Sequence, residues 1–332
     1  MMTSDSIKRE PEYQTECAAL SVSLQGSFIK PEKPAPSHRK IPLSLVRCDP
    51  SKDENACGLL QMAHSVPPEI LYSTYWYRSG TNATMRKHLQ GVVDSAIGFL
   101  AKVPERVLDI GCNDGTLLGF YPKKTRKFGI DPSDISKQIN KADVDVIHDF
   151  FPSSELVLNI GQDKFDVITS IAMFYDLEDP VAFAVSIKEI LAPDGIWVFE
   201  TSYMPAMLQM NSYDTICHEH LEYYSLAVIE FILARSGLKV FNAERNSING
   251  GSLRCYATHD VNFAFRNDQF SQNLYRLHQE EFDLELDTNK PYLHFQDRIN
   301  VHREELLLLI KQLRNDGKRI HIYGASTKGN VI

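Results

Sequence analysis

The chain has 332 residues, 43% of them hydrophobic and 23% charged, with a formal net charge of −8. That length accommodates two domains, or one domain with attachments, and the composition is that of a soluble globular protein. The acidic balance argues against non-specific nucleic-acid binding, no apolar run approaches the about 18 residues of a membrane-spanning helix, and the polar start Met1–Gln14 lacks the apolar core of a signal peptide.

Residues 1–40 show little periodicity, and Lys30-Pro31-Glu32-Lys33-Pro34-Ala35-Pro36 reads as an extended linker. Residues 41–62 form a small apolar unit holding Cys48 and Cys57. From Pro67 to about Leu100 the pattern is helical, with Met85, Leu89, Val92, Val93, Ile97 and Leu100 at helix-like spacing. Strands are then predicted at 106–110, 127–131, 144–148, 165–171 and 195–201. The segments between them are helical, notably Val181–Leu191, which ends in Ala-Pro-Asp-Gly at 192–195. Such alternation predicts an α/β fold, a mostly parallel sheet with helices on both faces. Two more strands, 238–246 and 252–258, flank the turn-rich Asn249-Gly250-Gly251 and suit an antiparallel hairpin closing that sheet. Beyond residue 265 the chain is helical and charged, with Leu306–Leu309 expected to pack against a neighbour. Arg319–Asn330 then reads as the strand and Gly-rich turn that open another α/β unit, cut short at Ile332. The expected division is 1–66, 67–262 and 263–332. Six cysteines scattered through the chain fit a reducing cytoplasm better than a disulfide framework.

The most informative run is Arg106-Val107-Leu108-Asp109-Ile110-Gly111-Cys112-Asn113-Asp114-Gly115-Thr116. It predicts a strand that breaks at Gly111 and enters a helix, with Gly111 and Gly115 letting the backbone turn tightly beside a ligand. It resembles the D-x-G-x-x-x-G loop of class I S-adenosylmethionine (SAM) methyltransferases. The dinucleotide fingerprint G-x-G-x-x-G is absent, because position 113 is Asn. A pyrophosphate wants backbone amides and a helix N-terminus, whereas SAM carries an ammonium and a sulfonium that suit the acidic Asp109. Asp131 follows Gly111 by 20 residues, at the end of the next predicted strand, where it is placed to accept from both ribose hydroxyls. Asp131-Pro132-Ser133 also reads as a helix cap. Pro132 and Asp149, just past strand 144–148, are counted with the cofactor residues.

A second distinctive segment, Tyr213 to Leu226, contains Cys217-His218-Glu219-His220-Leu221 and follows strand 195–201 at the sheet edge where a ligand would project its methyl. His218-Glu219-His220 offers metal ligands, but adjacent residues do not converge from a helix and the H-E-x-x-H spacing is missing. General acid–base chemistry fits better, because imidazole titrates near working pH and a neighbouring carboxylate orients it.

These stretches resemble the C-methyltransferases of nucleotide-activated deoxysugar pathways. The matching runs are Cys57–Met62, Tyr75-Trp76-Tyr77-Arg78-Ser79-Gly80, the SAM loop, Cys217–Leu221, Ile248–Arg254 and Tyr323–Asn330. The resemblance implies an enzyme with a SAM domain between a zinc-binding unit and a Rossmann-like domain. It implies His220 as the base that removes a proton beside a ketone, supported by Glu219, with the enolate attacking the SAM methyl. His218 is grouped with these. Tyr77, Arg78, Ser79, Asn82 and Met85 match the segment that folds over SAM, and Tyr75–Tyr77 also read as helix-entry core. Asn113 and Gly115 belong to the SAM loop, and Tyr213, Asn249 and Lys328 are expected to contact a small-molecule acceptor. Some relatives stabilise the enolate oxygen with a tyrosine where this chain has Cys217, a weak donor, so Tyr223 or Tyr213 is expected to take that role. The zinc unit departs too: only Cys48 and Cys57 stand where the second cysteine pair belongs, and two cysteines do not fill a tetrahedral site, so no zinc is expected. An O- or N-methyltransferase and a non-catalytic SAM-binding remnant are the other readings. Oligomeric state is not legible.

Overall fold

The computed structural model describes residues 14–23 and 40–321, apart from positions 54, 74, 76 and 141. The N-terminal part supplies strands β1 (Gln14–Ser23), β2 (Lys40–Cys48) and β3 (Leu60–Met62). Helices α1 (Pro68–Tyr72) and α2 (Ala83–Phe99) follow. The Asn82 side chain accepts from the Thr84 amide and so caps α2, whose stripe Leu89, Val92, Val93 and Ala96 is buried.

The alternating segment then begins with β4 (Arg106–Ile110), β5 (Arg126–Ile130), β6 (Asp145–Ile147), α3 (Ser154–Ile160) and β7 (Phe165–Ile171). It continues through α4 (Pro180–Ile190), β8 (Leu191–Ser202) and α5 (Met204–Met210). After β9 (Glu222–Tyr223) come α6 (Leu226–Ser236), β10 (Leu238–Asn246), β11 (Ser252–His259), α7 (Asp268–Asp283) and α8 (Lys290–Asn315).

Seven strands form one sheet in the order β10-β11-β8-β7-β4-β5-β6. The pairs among β4 to β8 are parallel, while β11 runs antiparallel to both β8 and β10. Central strands covered on both faces must be apolar throughout, and Val107, Leu108, Val167, Ile168, Val198 and Phe199 are each at most 1% exposed. One face packs Val107, Val167 and Val198 against α2. The other packs Leu108, Ile168, Trp197 and Phe199 against Phe183 and Ile187 of α4 and Ile229 and Ile232 of α6. Strand order reverses between β4 and β7, and open α/β sheets bind ligands at the carboxyl ends of strands at such a point.

The predicted turn at 192–195 is absorbed into β8: Phe165 pairs with Leu191, Val167 with Ile196, and the residues between bulge outward. Leu306–Leu309 differ from expectation. Leu307, Leu308 and Leu309 are 45%, 65% and 52% exposed, because four successive leucines on a helix point all round it and α8 offers only one face to the core. No helix of the described residues is long and apolar enough to cross a membrane.

A second, antiparallel sheet has the order β1-β2-β3-β9. Its last strand comes from the segment holding His218-Glu219-His220, through the pairs Leu60↔Tyr223 and Gln61↔Glu222. Arg47, fully buried on β2, anchors this sheet to the start of α8. Its guanidinium donates to Asp49 Oδ1 at 2.8 Å and Asn289 Oδ1 at 2.8 Å, and lies 5.0 Å from the Tyr292 ring centroid.

Candidate active site

A cavity of about 690 Å³ opens at the carboxyl ends of β4, β5, β7 and β8. Its wall begins at the loop after β4. Gly111 adopts φ +73°, and Asn113 adopts φ +52°, a left-handed conformation that Asn tolerates better than other side-chain-bearing residues. Asn113 is thereby placed to clamp a second segment. Its Oδ1 accepts from the Ser79 amide at 3.0 Å and its Nδ2 donates to the Tyr77 carbonyl at 2.9 Å. Gly80 is needed beside this clamp: a Cβ there would lie 2.6 Å from Thr116 Oγ1.

Two carboxylates close this end. Asp109 is 4% exposed, accepts from Thr169 Oγ1 at 2.6 Å, and is pushed up to about 7 by burial. Asp131, 7% exposed, accepts from the Asn113 and Ser133 amides at 2.8 Å each, which aims it across the loop. Among the described lining residues there is no Lys or Arg, while Asp109, Asp131, Asp149, Asp176, Glu200 and Glu219 all contribute. That donor set fits a ligand with an ammonium and a sulfonium, and a buried carboxyl already paying desolvation gains most from a cation. Tyr77, Ser79, Met85, Asp109, Gly111, Asn113, Asp131, Pro132 and Asp149 all line the cavity.

At the opposite wall stands His220. Its Nδ1 is 2.9 Å from the Thr215 carbonyl oxygen, an acceptor only, so the proton sits on Nδ1 and the lone pair on Nε2. The Tyr175 ring packs on the imidazole with centroids 4.4 Å apart. The segment is pinned by Leu221, whose amide donates to the Tyr175 carbonyl at 2.9 Å and whose carbonyl accepts from the Met62 amide at 2.8 Å. Tyr72 adds a bond to the Glu219 carbonyl at 3.0 Å. Burial raises Glu219 above the usual carboxylate range.

A profile described as "Methyltransferase domain" matches residues 85–243, and one described as "C-methyltransferase C-terminal domain" matches residues 247–332. The chain is a SAM-dependent methyltransferase. A curated relative, the C-methyltransferase NovU of Streptomyces niveus, is 25% identical over 318 residues, covering 94% of this chain and 73% of NovU. The ubiquinone biosynthesis O-methyltransferase of Actinobacillus pleuropneumoniae serotype 7 (strain AP76) is 28% identical over 146 residues, 40% of this chain and 61% of that one. Among solved structures, the N-methyltransferase NodS from Bradyrhizobium japonicum WM9 with S-adenosyl-L-homocysteine has 16% identity and a TM-score of 0.41, covering 54% of this chain and 89% of that chain.

In this methyltransferase Glu219, His220 and Asn249 line the same cavity as the residues expected to hold the cofactor. Gly115, with φ +76°, shapes the turn from outside the lining. Other expected residues stand elsewhere. A turn from Cys217 to His220 (His220 amide to Cys217 carbonyl, 3.0 Å) sends the two histidines different ways. His218, 1% exposed, puts Nε2 3.3 Å from the Ile41 carbonyl, away from the cavity. Tyr223 is committed to β9 and packs with Leu60 and Met62 in the core between the second sheet and helices α5 and α8, outside the cavity lining, so it is not placed to be the oxyanion donor expected of it. Tyr213 holds its phenol 2.8 Å from His302 Nδ1 on α8, also outside the lining. Lys328, and the whole run Tyr323–Asn330, lie outside the described residues, as does Trp76.

Among the described residues no group of three or more His, Cys, Asp or Glu is disposed to hold a metal. Cys48 and Cys57 serve each other: the Cys57 amide lies 3.3 Å from Cys48 Sγ, and the Cys57 thiol, hydrogen-bonded to it, lowers Cys48 to about 6.

Several lining residues escaped the sequence reading. Glu200, 2% exposed, joins His88 Nε2 at 2.7 Å and Arg254 Nε at 3.0 Å. Burial raises its carboxyl, but His88 and Arg254 outweigh that and hold it below the usual range. Asp176 lies just after β7, and Tyr72 on α1. The available signal was position: Asp176 follows β7, which borders the switch point, and Glu200 sits near the carboxyl end of the neighbouring β8.

Proposed function

We propose that this methyltransferase methylates a carbon beside a ketone, on a nucleotide-activated deoxysugar, through an enolate generated by His220. The observation that carries the reading is the His220 tautomer: Nδ1 engages the Thr215 carbonyl, which puts the ring's lone pair on Nε2, and His220 lines the same cavity as Asp109 and Asp131. Transfer to oxygen or nitrogen needs little more than proximity, whereas a ketone's neighbouring carbon is nucleophilic only after deprotonation. The NovU relative, a C-methyltransferase, supports the same chemistry.

Asp131 holds the ribose hydroxyls, Asp109 faces the cationic end of SAM, and Tyr77, Ser79 and Asn113 close over it. His220 Nε2 takes the proton from the carbon beside the ketone, and the C–H electron pair becomes the enolate double bond as the carbonyl pair moves to oxygen. When bound, SAM supplies the methyl group to that carbon, its sulfur keeping the S–C bonding pair. The carbonyl re-forms, and His220 returns its proton to solvent. With no Lys or Arg among the described lining residues, the sugar enters the cavity and its diphosphate stays outside it.

The test is incubation of the full chain with SAM and a panel of nucleoside-diphosphate keto-deoxysugars, followed by mass and carbon-13 spectra. A new carbon–carbon bond, lost in His220→Ala, is expected. A methyl on oxygen or nitrogen, or transfer that survives His220→Ala, would overturn the reading.

A further inference from the structure

An enolate places negative charge on the acceptor's oxygen, and a site that forms one needs a donor aimed at that oxygen. This question rests on the C-methylation proposed above. Tyr213 and Tyr223 lie away from the cavity, Cys217 does not line it, and no described lining residue is Lys or Arg. The wall beside His220 holds Asp176. Its backbone neighbour Tyr175 packs its ring at a tilt against the His220 ring and its carbonyl accepts from the Leu221 amide, and the Glu219 carboxyl is near enough to act on Asp176.

We propose that Asp176 is a catalytic residue, a neutral carboxylic acid whose O–H hydrogen-bonds the acceptor's carbonyl oxygen as that oxygen becomes an enolate. Asp176 Oδ1 is shut off from solvent and has no hydrogen-bond partner among the described residues. An unmet buried carboxyl oxygen in a cavity wall is costly, and a ligand oxygen offsets that cost. The terminal torsion of an Asp is broad, so a small rotation presents this oxygen to the cavity. The groups facing Asp176 include the Tyr72 hydroxyl, whose own proton goes to the Glu219 carbonyl, and the Glu219 carboxyl; no ion pair holds Asp176 among the described residues. Burial first, then the Glu219 charge, push its carboxyl well above the ordinary range. A carboxyl shut off from solvent beside a second carboxyl favours its neutral form, and the assignment places that proton on Asp176. The proton stays on Asp176 throughout, so the base and the oxyanion donor are separate groups with no competition for one proton.

Asp176→Asn keeps a neutral donor of the same shape, and Asp176→Leu keeps the bulk without the donor. The assay is deuterium entry beside the ketone of a nucleoside-diphosphate keto-deoxyhexose, with S-adenosylhomocysteine bound, in deuterium oxide. Unchanged S-adenosylhomocysteine affinity verifies folding. The expected result is exchange within about tenfold of wild type for Asp176→Asn and about 100-fold or more lower for Asp176→Leu. An infrared difference spectrum of wild type minus Asp176→Asn is expected to show a protonated-carboxyl stretch. Equal loss in both variants, no loss in Asp176→Leu, loss that follows Tyr75→Phe or Tyr175→Phe instead, or a carboxylate stretch overturns the assignment of Asp176 alone. No exchange by the wild type overturns the enolate reading itself, and this one with it.

Discussion

With Asp109 facing the cationic end of SAM as proposed, cofactor binding is expected to be a proton-release reaction. Its carboxyl moves from 3.8 to about 7 because it is buried at the end of β4 with one hydroxyl partner. The charged form is therefore disfavoured in the free protein by about 4 kcal/mol, taking 1.36 kcal/mol for each pH unit. Between about pH 4 and 7 the folded protein binds this proton more tightly than the unfolded chain does, so Asp109 lowers stability as pH rises through that window. A SAM cation beside it favours the anion, and binding then expels the proton. Below pH 7 the SAM association constant is expected to rise about tenfold per pH unit, flattening above it, with about one proton released at pH 6 and about half a proton at pH 7. Calorimetry in buffers of different ionisation enthalpy counts those protons directly. Asp109→Asn, which keeps the shape and a Thr169 partner, should lose both the slope and the release. The same slope in that variant, or proton uptake by wild type, would refute the reasoning.

Other perturbations separate the two ends of the cavity. His220→Ala should lower methyl transfer by about 100-fold or more while leaving SAM affinity within about twofold, and Asp131→Ala should weaken SAM binding first; equal loss of affinity in both contradicts the division of roles. Asn113→Gly keeps the left-handed backbone but removes both bonds to Tyr77 and Ser79, so calorimetry should show weaker SAM binding with a nearly unchanged melting temperature. Asn113→Val should lower the melting temperature as well, since a branched side chain resists φ +52°. Among the described cysteines, Cys48 should be alkylated first by iodoacetamide, with a rate that rises with pH through a midpoint at about 6, and Cys57→Ser should move that midpoint upward.

The cofactor half of the site is written locally, and that is why it could be read. Val107–Ile110 and Phe128–Ile130 are apolar because parallel strands are covered on both faces, and Asp109, Asp131 and Asp149 fall where those strands end. The half proposed to carry the chemistry depends on contacts distant in sequence. Nothing near His220 announces that a backbone carbonyl, that of Thr215, sets its tautomer, or that β3 claims Tyr223 for a second sheet. Alternation within 217–220 could not separate His218 from His220, because a turn rather than a strand decides which way each points. The leucines of α8 misled for a related reason: four in a row look buried, yet a helix spreads them around its circumference.

The pairing of β3 with β9 has a consequence for the order in which the molecule is made. Every parallel strand of the large sheet is synthesised after β3 and before β9, so residues 60–62, already paired with β2 on one edge, keep the other edge open while the strands of the large sheet are translated. His220 can settle only when the late segment returns to that early strand. If the proposed roles hold, a ribosome-bound intermediate would acquire its grip on the methyl donor before it owns a base, a stage that holds its reagent without spending it.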